Sequence, residues 1–138
     1  MTDFAWGLIG PGGIAHRFAD AVHRLPGMHL RSVLGRDVAR ATAFVTNWTR
    51  AGKPAPQLAL SLEAMLADEA IHAIYIATPH ASHGEFARRC IAAGKPVLCE
   101  KVLVPSLAEA QALVALAQDR RVFLMEALWT RFLPLYAL

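Results

Sequence analysis

The sequence lacks the segments that would place the protein in a membrane or in an export pathway. No apolar run within its 138 residues approaches the roughly 20 residues that a membrane-spanning helix needs. The N-terminus carries Asp3 and several glycines, where a secretory signal has a basic start and an unbroken apolar segment. We therefore expect a cytoplasmic protein with no membrane partner.

Cysteine and clustered charge are also scarce. The two cysteines, Cys90 and Cys99, fall in a predicted helix and a predicted strand, so we expect two buried free thiols and neither a disulfide nor a metal pair. The 14 basic residues exceed the acidic ones by three, yet they are scattered along the chain and are not interleaved with aromatic side chains. Nucleic acid is therefore not an expected partner. The 55% hydrophobic content is enough for a sizeable core within one domain.

A closely spaced set of glycines interrupts the first apolar run. A predicted strand over residues 4–9 ends there, and apolar residues resume at helical spacing over residues 14–25. In such a strand-turn-helix, Gly10 takes dihedral angles that a side chain forbids, Gly12 lets a pyrophosphate approach the backbone, and Ala15 lets helix and strand pack closely. The N–H groups and the positive end of the helix dipole then face the phosphates. Glycine turns also end strands for steric reasons alone, so the pattern by itself leaves both interpretations open.

The second strand ends where a dinucleotide-binding fold contacts the ribose. The apolar run 30–34 leads into Gly35 and Arg36. An acidic residue there would bind the 2′-hydroxyl of NAD, whereas a small residue followed by arginine leaves room and a cation for the 2′-phosphate of NADP. A solvated surface arginine is the alternative for Arg36. Asp37 either reaches a ribose hydroxyl or caps the next helix, and the apolar spacing after it favours the cap.

Strands and helices alternate over the rest of the chain. Further strands are predicted at residues 57–60, 73–77, 96–99 and 122–125, with a loop at 51–56. Ser61 caps a short helix that runs through Leu66, and Ser82 and Ser106 open two more in capping boxes with Glu85 and Glu109. This order predicts an α/β fold, a doubly wound and mostly parallel sheet of about six strands with helices on both faces.

Ligands bind at the carboxyl ends of the strands in such a sheet. The residues that follow those ends should share one rim, which we call the carboxyl rim. They are Gly10, Gly35 and Arg36, Thr78, Pro79 and His80, and Glu100 and Lys101. Polar and glycine-rich residues on one rim indicate a binding site.

Several segments resemble motifs of the glucose-fructose oxidoreductase, inositol dehydrogenase and rhizopine catabolism superfamily (Gfo/Idh/MocA), over the whole chain. Residues 10–15 resemble its nucleotide turn, residues 78–83 its T-P-x-x-x-H segment, and residues 93–101 its A-G-K-x-V-x-x-E-K segment. Residues 125–134 are similar to the branch of dimeric dihydrodiol dehydrogenases and related sugar reductases. Val102 departs from the pattern, since the family usually has proline there.

The resemblance implies an NAD(P)-dependent oxidoreductase that moves a hydride between nicotinamide and a sugar, polyol or cyclic trans-diol. Residues 1–126 would form a Rossmann-type NAD(P)-binding domain, and residues 127–138 would begin the crossover to a second, α+β substrate domain that is absent from this chain. A chain without that domain is expected to be inactive alone.

The resemblance also implies the roles of individual residues. Lys101 is the implied catalytic residue, a hydrogen-bond partner or proton acceptor beside the nicotinamide, and Glu100 positions it; an exposed lysine after a strand is the alternative from spacing alone. The implied cofactor is NADP, with NAD as the alternative. The implied cofactor-binding residues are Gly10, Pro11, Gly12, Gly13, Ile14, Ala15, Gly35, Arg36, Thr78, Pro79, His80, His83, Glu100, Lys101, Trp129 and Arg131.

Some interpretations remain open at this point. His80 and His83 lack a convincing third ligand nearby, so no metal site is predicted. Trp129 and Arg131 either begin a linking helix or lie against the cofactor. A stand-alone NADP-binding module without turnover, or a regulator that acts through a protein partner, is the alternative to an enzyme. An apolar C-terminal segment predicts self-association; its residues are Leu128, Trp129, Phe132, Leu133, Leu135, Tyr136 and Leu138.

Overall fold

The computed structural model describes residues 3–49 and 53–137. These residues form a six-stranded parallel sheet in the order β3-β2-β1-β4-β5-β6, which confirms the predicted α/β fold. The strands are β1 (Phe4–Ile9), β2 (Met28–Leu34), β3 (Gln57–Leu58), β4 (Ala73–Ile76), β5 (Val97–Cys99) and β6 (Leu124–Glu126). The helices are α1 (Gly13–Arg24), α2 (Val38–Trp48), α3 (Leu62–Ala67), α4 (His83–Ala92) and α5 (Leu107–Arg120), with short 3₁₀ turns at His80–Ser82, Trp129–Phe132 and Pro134–Ala137.

Helices cover both faces of the sheet. Successive residues of β1 point to opposite faces, and both Leu8 and Ile9 are buried, each in a different apolar cluster. The Leu8 cluster contains residues of α1 and α2, and the Ile9 cluster contains residues of α3, α4 and α5. The chain therefore leaves the neighbouring strands β1 and β4 toward opposite faces, and a crevice opens between their carboxyl ends.

Three of the predicted helix caps are confirmed and one is wrong. Ser61 Oγ accepts a hydrogen bond from the N–H of Ala64 at 3.0 Å. Asp37 Oδ1 accepts a hydrogen bond from the N–H of Arg40 at 3.0 Å, and Ser106 Oγ accepts one from the N–H of Glu109 at 3.2 Å. The Ser82 hydroxyl does not cap α4, because it lies 2.9 Å from Thr78 Oγ1 and 2.8 Å from the carbonyl oxygen of Pro79. The 3₁₀ turn before α4 draws the Ser82 side chain back toward the end of β4.

The two outer strands differ from their predicted bounds. β3 has two residues where four were predicted. The prediction that the last strand begins at Val122 is wrong, because Arg121 takes a left-handed conformation with φ 54° and the N–H of Val122 bonds to the carbonyl of Ala117. These two residues end α5, so β6 begins at Leu124.

Two further features concern the chain as a whole. Within the described residues, no helix combines the length and apolar character needed to cross a bilayer. Cys90 and Cys99 are buried free thiols, as predicted, and burial raises the pKa of each to about 12.

Candidate cofactor and active site

Gly10 is required by the packing of the strand ends. Its φ is +91°, and a Cβ atom built there would lie 2.8 Å from backbone atoms of Ala77 and Thr78. The Gly10 N–H also bonds to the carbonyl of Leu34 at 2.9 Å, so the turn is held against both neighbouring strands. Any side chain at this position would separate β1 from β4. The steric interpretation of the glycine turn therefore applies to Gly10.

Gly12 and Gly13 are not required by packing within the chain. A Cβ atom built on either would meet no described atom within 4 Å. Gly12 is the N-cap of α1, and neither a capping side chain nor an acidic residue serves the first turn of this helix in the part of the chain that the structure describes. The N–H of Gly12 donates to the carbonyl of Gly10 at 2.8 Å, and that of Ala15 to the carbonyl of Gly12 at 3.1 Å. The N–H groups of Gly13 and Ile14 and the positive helix end are open to an anion, and a pyrophosphate fits this turn.

Pro11 and Ala15 shape the turn from within. Ala15 is completely buried between α1 and the sheet, as the pattern predicts for close packing. A Cβ atom on Gly35 would lie 2.9 Å from Pro11 Cγ and 3.0 Å from Ala41 Cβ. The small residue at position 35 thus lets the nucleotide turn pack on the end of β2, which is a different reason from room for a phosphate.

Two arginines follow the carboxyl end of β2. Arg36 is exposed and forms no ion pair with the described residues. Arg40 lies in the first turn of α2 and is likewise exposed, and its side chain has no carboxylate partner in residues 3–49 and 53–137. Arg40 was not among the binding residues predicted from the sequence. Its signal is its place in the sequence, four residues after Arg36 and in the first turn of the helix that follows the same strand end.

His83 lies beneath the carboxyl rim and not on its surface. Its ring is completely buried, with Nε2 2.8 Å from the carbonyl oxygen of Thr78 and Nδ1 2.8 Å from that of Val102. It thereby joins the turn after β4 to the loop after β5. His80 is exposed on the rim, with its ring centroid 5.4 Å from that of His83.

Glu100 is held from below by a buried tyrosine. The hydroxyl of Tyr75, in the middle of β4, donates to Glu100 Oε1 at 2.6 Å. Burial, with the neighbouring carboxylate as a second cause, raises the pKa of Tyr75 far above its usual value, so the hydroxyl remains a donor. Glu100 Oε2 accepts the backbone N–H of Lys101 at 3.3 Å. Glu100 thus positions the backbone of Lys101 and not its amine.

The loop that carries Lys101 is tied at its next residues as well. Glu126 Oε1 accepts the N–H of Leu103 at 2.7 Å, and the carbonyl of Val102 faces His83. The Lys101–Val102 peptide bond is cis. Although Val102 departs from the family pattern, hydrogen bonds at Lys101, Val102 and Leu103 hold this loop.

Sequence reasoning missed the two supports Tyr75 and Glu126. A tyrosine inside an otherwise apolar strand indicates a buried hydroxyl that needs a partner. A glutamate at the end of a strand is a second signal. Neither signal identifies the group that the side chain contacts.

Lys101 differs from the other two lysines of the chain. Lys53 Nζ donates to the carbonyls of Leu25 and Met28 at 2.9 and 2.7 Å. Lys95 Nζ donates to two further carbonyls, at 2.8 and 2.9 Å, just before β4. Both lie at the amino ends of the strands, which we call the amino rim, although Lys95 belongs to the same motif as Lys101. Lys101 is exposed, and its amine has no partner among the described residues.

Trp129 and Arg131 lie at the far side of the sheet. They follow β6 in a 3₁₀ turn and are exposed, Trp129 by 65%. Since β6 is three strands from β1, about 14 Å separates their strand from that of the glycine turn. The linking helix that the sequence offered as one interpretation is a 3₁₀ turn in the structure. The strand order thus brings Gly10, Thr78 and Glu100 together in the middle of the rim and leaves Trp129 and Arg131 at one side.

Comparison with known proteins decides the family. The model of the Gfo/Idh/MocA oxidoreductase family, which has an NAD-binding Rossmann fold, matches residues 4–128. The chain belongs to this family. It is an NAD(P)-binding domain of an oxidoreductase, and the resemblance noted from its motifs is confirmed.

The relatives include dehydrogenases and reductases. Mouse (Mus musculus) trans-1,2-dihydrobenzene-1,2-diol dehydrogenase is 37% identical over 131 residues, which cover 94% of this chain and 38% of the mouse protein. GenD2 from gentamicin A biosynthesis, in complex with NAD, is 31% identical with a TM-score of 0.83, over 91% of this chain and 34% of its own. A 3-ketoreductase from Actinomadura kijaniata, in complex with NADP and TDP-benzene, is 29% identical with a TM-score of 0.81, over 91% and 37%. The chain therefore spans less than two fifths of the length of these relatives.

Proposed function

We propose that this chain binds NADP along the carboxyl rim and supplies Lys101 as the catalytic residue for hydride transfer to or from a carbinol carbon. One observation carries the proposal. Of the three lysines, two are bonded to backbone carbonyls at the amino rim, while the amine of Lys101 stands without a described partner at the rim that has the open glycine turn. A lysine kept unpaired beside a dinucleotide site is available to a substrate hydroxyl.

The cofactor contacts follow the order of the strands. The pyrophosphate would lie on the N–H groups of Gly13 and Ile14, over the space left by the missing side chain of Gly12. The 2′-phosphate would lie beside Arg36, with Arg40 as a second cation. Thr78 and Pro79 would support the nicotinamide half, with His80 exposed next to them. Trp129 and Arg131 remain proposed contacts at the β6 side. His83 contributes by holding the Thr78 carbonyl, since its ring is buried.

The proposed chemistry divides between the cofactor and Lys101. Bound NADP⁺ supplies the acceptor for the hydride that leaves the carbinol carbon. Nζ of Lys101, as the neutral amine, would take the hydroxyl proton and become an ammonium, so the alcohol would become a ketone as its C–H and O–H bonds break and the C=O bond forms. In the reverse direction Nζ returns that proton. Glu100 keeps the Lys101 backbone fixed during either step.

A cyclic trans-diol or a sugar is the proposed substrate class. Similarity to the mouse dihydrodiol dehydrogenase supports the diol, and similarity to the 3-ketoreductase supports a sugar. Because Lys101 is exposed to solvent here, little or no turnover is expected from this chain alone. We further propose that residues 1–126 form the cofactor domain, that the segment from residue 127 begins the crossover to a substrate domain, and that the protein is cytoplasmic, where its buried thiols stay reduced.

Cofactor choice tests the proposal. A charge-assisted bond from Arg36 to the 2′-phosphate should contribute about 1.5–3 kcal/mol, which is about a ten- to hundredfold preference for NADPH over NADH. Titration of both cofactors should show this preference in the wild type and its loss in Arg36→Ala. Arg88→Ala, an exposed arginine of α4, is the control with the same change of charge. Equal affinity for the two cofactors in wild type and Arg36→Ala would remove the assignment.

Self-association through the C-terminal segment is also proposed. Trp129, Phe132, Leu135 and Tyr136 are 65–76% exposed, which leaves an apolar patch facing solvent. Leu138 lies outside the described residues. Light scattering should show a mass that rises with concentration and that falls to the monomer value in a Phe132→Glu, Leu135→Glu variant. A monodisperse wild-type monomer that oxidises diols or sugars at ordinary enzyme rates would contradict both the self-association and the expected inactivity.

A further inference from the structure

We propose that Tyr75 is a positioning residue that keeps the Glu100 carboxylate turned into the sheet and so prevents it from neutralising the amine of Lys101. The inference rests on the proposed function only in naming Lys101 as the reacting group. The adjacent charges of Glu100 and Lys101 would otherwise be expected to pair. The structure keeps them apart.

The strand register places the tyrosine beneath the carboxylate. Tyr75 of β4 lies opposite Leu98 of β5, and Glu100 comes two residues after Leu98, on the same face of the sheet. The Tyr75 hydroxyl therefore meets Glu100 diagonally, with the oxygen atoms 2.6 Å apart. Tyr75 is only 2% exposed, so the core shields this bond from solvent.

Phe18 of α1 fixes the tyrosine ring. The two rings are stacked, with centroids 3.8 Å apart and planes at 15°. The hydroxyl cannot turn away from Glu100 without breaking this contact. The same helix begins at the open glycine turn, so one element positions both the phosphate site and the support of Glu100.

Both oxygens of Glu100 are occupied by neutral donors. Oε1 accepts the hydroxyl of Tyr75, and Oε2 accepts the backbone N–H of Lys101. No ion pair joins Glu100 to Lys101 in the described structure, although Arg31 and Asp68 do form one elsewhere, at 2.6 Å. Loss of the hydroxyl would leave Oε1 without a donor, and the Lys101 amine could then supply one.

The test measures the amine itself. The whole chain is acetylated with sulfo-N-hydroxysuccinimide acetate, and the rate at each lysine is followed by mass spectrometry. In the wild type Lys101 should react fastest. Tyr75→Phe keeps the ring and its stacking but removes the hydroxyl; the rate at Lys101 should fall about two- to fivefold, the size expected of an exposed ion pair. Lys53 and Lys95 are internal controls whose rates should not change.

A second substitution separates the ion pair from a general loss of structure. Glutamine at position 100 cannot pair with an amine, so Tyr75→Phe with Glu100→Gln should restore the wild-type rate at Lys101. Glu100→Gln alone should change that rate by less than the fall seen in Tyr75→Phe, because the carboxylate is already held away from the amine. An unchanged Lys101 rate in a folded Tyr75→Phe variant would overturn the proposal. A clear rise in Glu100→Gln alone would overturn it as well, even where Tyr75→Phe fails to fold.

No cofactor enters this measurement. Failure of NADPH to bind would count against the proposed function and leave the amine result intact. An unchanged acetylation rate at Lys101 together with normal NADPH binding would overturn the role of Tyr75 and leave the proposed function intact.

Discussion

The basic side chains at the two rims of the sheet differ in whether they have partners within the fold. At the amino rim, Lys53 and Lys95 donate to backbone carbonyls and Arg31 pairs with Asp68. At the carboxyl rim, Arg36 and Lys101 are exposed, and neither pairs with a carboxylate among the described residues. The positive charge of one rim is used within the fold, whereas that of the other is available to a ligand.

The difference follows from what each rim must satisfy. Carbonyl groups of the turns that lead into β2 and β4 lie at the amino rim and need donors, which the lysines supply over two bonds each. The carboxyl rim has the opposite need, since the first N–H groups of α1 require an acceptor. A fold that leaves donors and cations together at one rim favours an anionic ligand there.

Substitution of the glycines gives the largest expected effects. Gly12→Val should weaken NADPH binding by at least about a hundredfold while the melting temperature stays near that of the wild type, because the side chain fills only the space of the pyrophosphate. Gly10→Val should instead cost roughly 3 kcal/mol or more of folding stability, because its Cβ meets backbone at 2.8 Å with φ +91°. Calorimetric titration measures the NADPH affinity, and thermal unfolding followed by circular dichroism measures the stability. Native affinity in folded Gly12→Val would show that the open turn is not the phosphate site.

The same substitution at one lysine of each rim compares the two rims directly. Lys95→Met keeps the aliphatic stem but removes both bonds to carbonyls, and should lower the free energy of unfolding by about 2 kcal/mol with unchanged NADPH affinity. The matched Lys101→Met should change stability by less than about 0.5 kcal/mol. Urea denaturation of the two variants provides the comparison. Equal losses would mean that the amino rim is no more tightly bonded than the carboxyl rim.

Alkaline pH should lower the folding stability through the buried thiols of the core. Burial raises the pKa of the Cys90 and Cys99 thiols from 9.0 to about 12, so the unfolded chain loses these protons first. Stability is then full below about pH 9 and falls as the pH rises, by about 1 kcal/mol per thiol at pH 10. The raised pKa of Tyr75 adds a loss of the same sign at higher pH.

Urea denaturation between pH 8 and pH 10.5 measures this slope. The double variant Cys90→Ala, Cys99→Ala should show a flatter dependence than the wild type over that range. A wild-type stability that does not change with pH would contradict the effect of burial on the thiols.

Local sequence patterns were sufficient to predict the helices and strands and most of the residues at which they begin and end. Helical and strand spacing, together with the caps Asp37 and Ser106, depends on residues within a few positions of one another, so the predicted order of strands and helices is confirmed. The cap predicted at Ser82 is wrong because two other acceptors, on Thr78 and Pro79, lie within reach of its hydroxyl. A capping motif in the sequence does not reveal that competition.

The residues of the carboxyl rim were predictable as a set, because parallel strands end on one side. The contacts that hold these residues in place could not be predicted from the sequence. Glu100 meets Tyr75 from 25 residues away, and Leu103 meets Glu126 from 23. Only the register of β4, β5 and β6 determines those distances.

The glycine turn shows the same division within six residues. Its pattern is enough to predict a strand that turns into a helix, with a phosphate site as one of two interpretations, because backbone freedom and the helix dipole are local properties. Which glycine serves packing and which leaves room for a ligand depends on atoms brought from elsewhere: Ala77 and Thr78 lie against Gly10, and no described atom lies against Gly12. Tertiary packing alone distinguishes the two, because a glycine has no side chain to record which neighbour it admits.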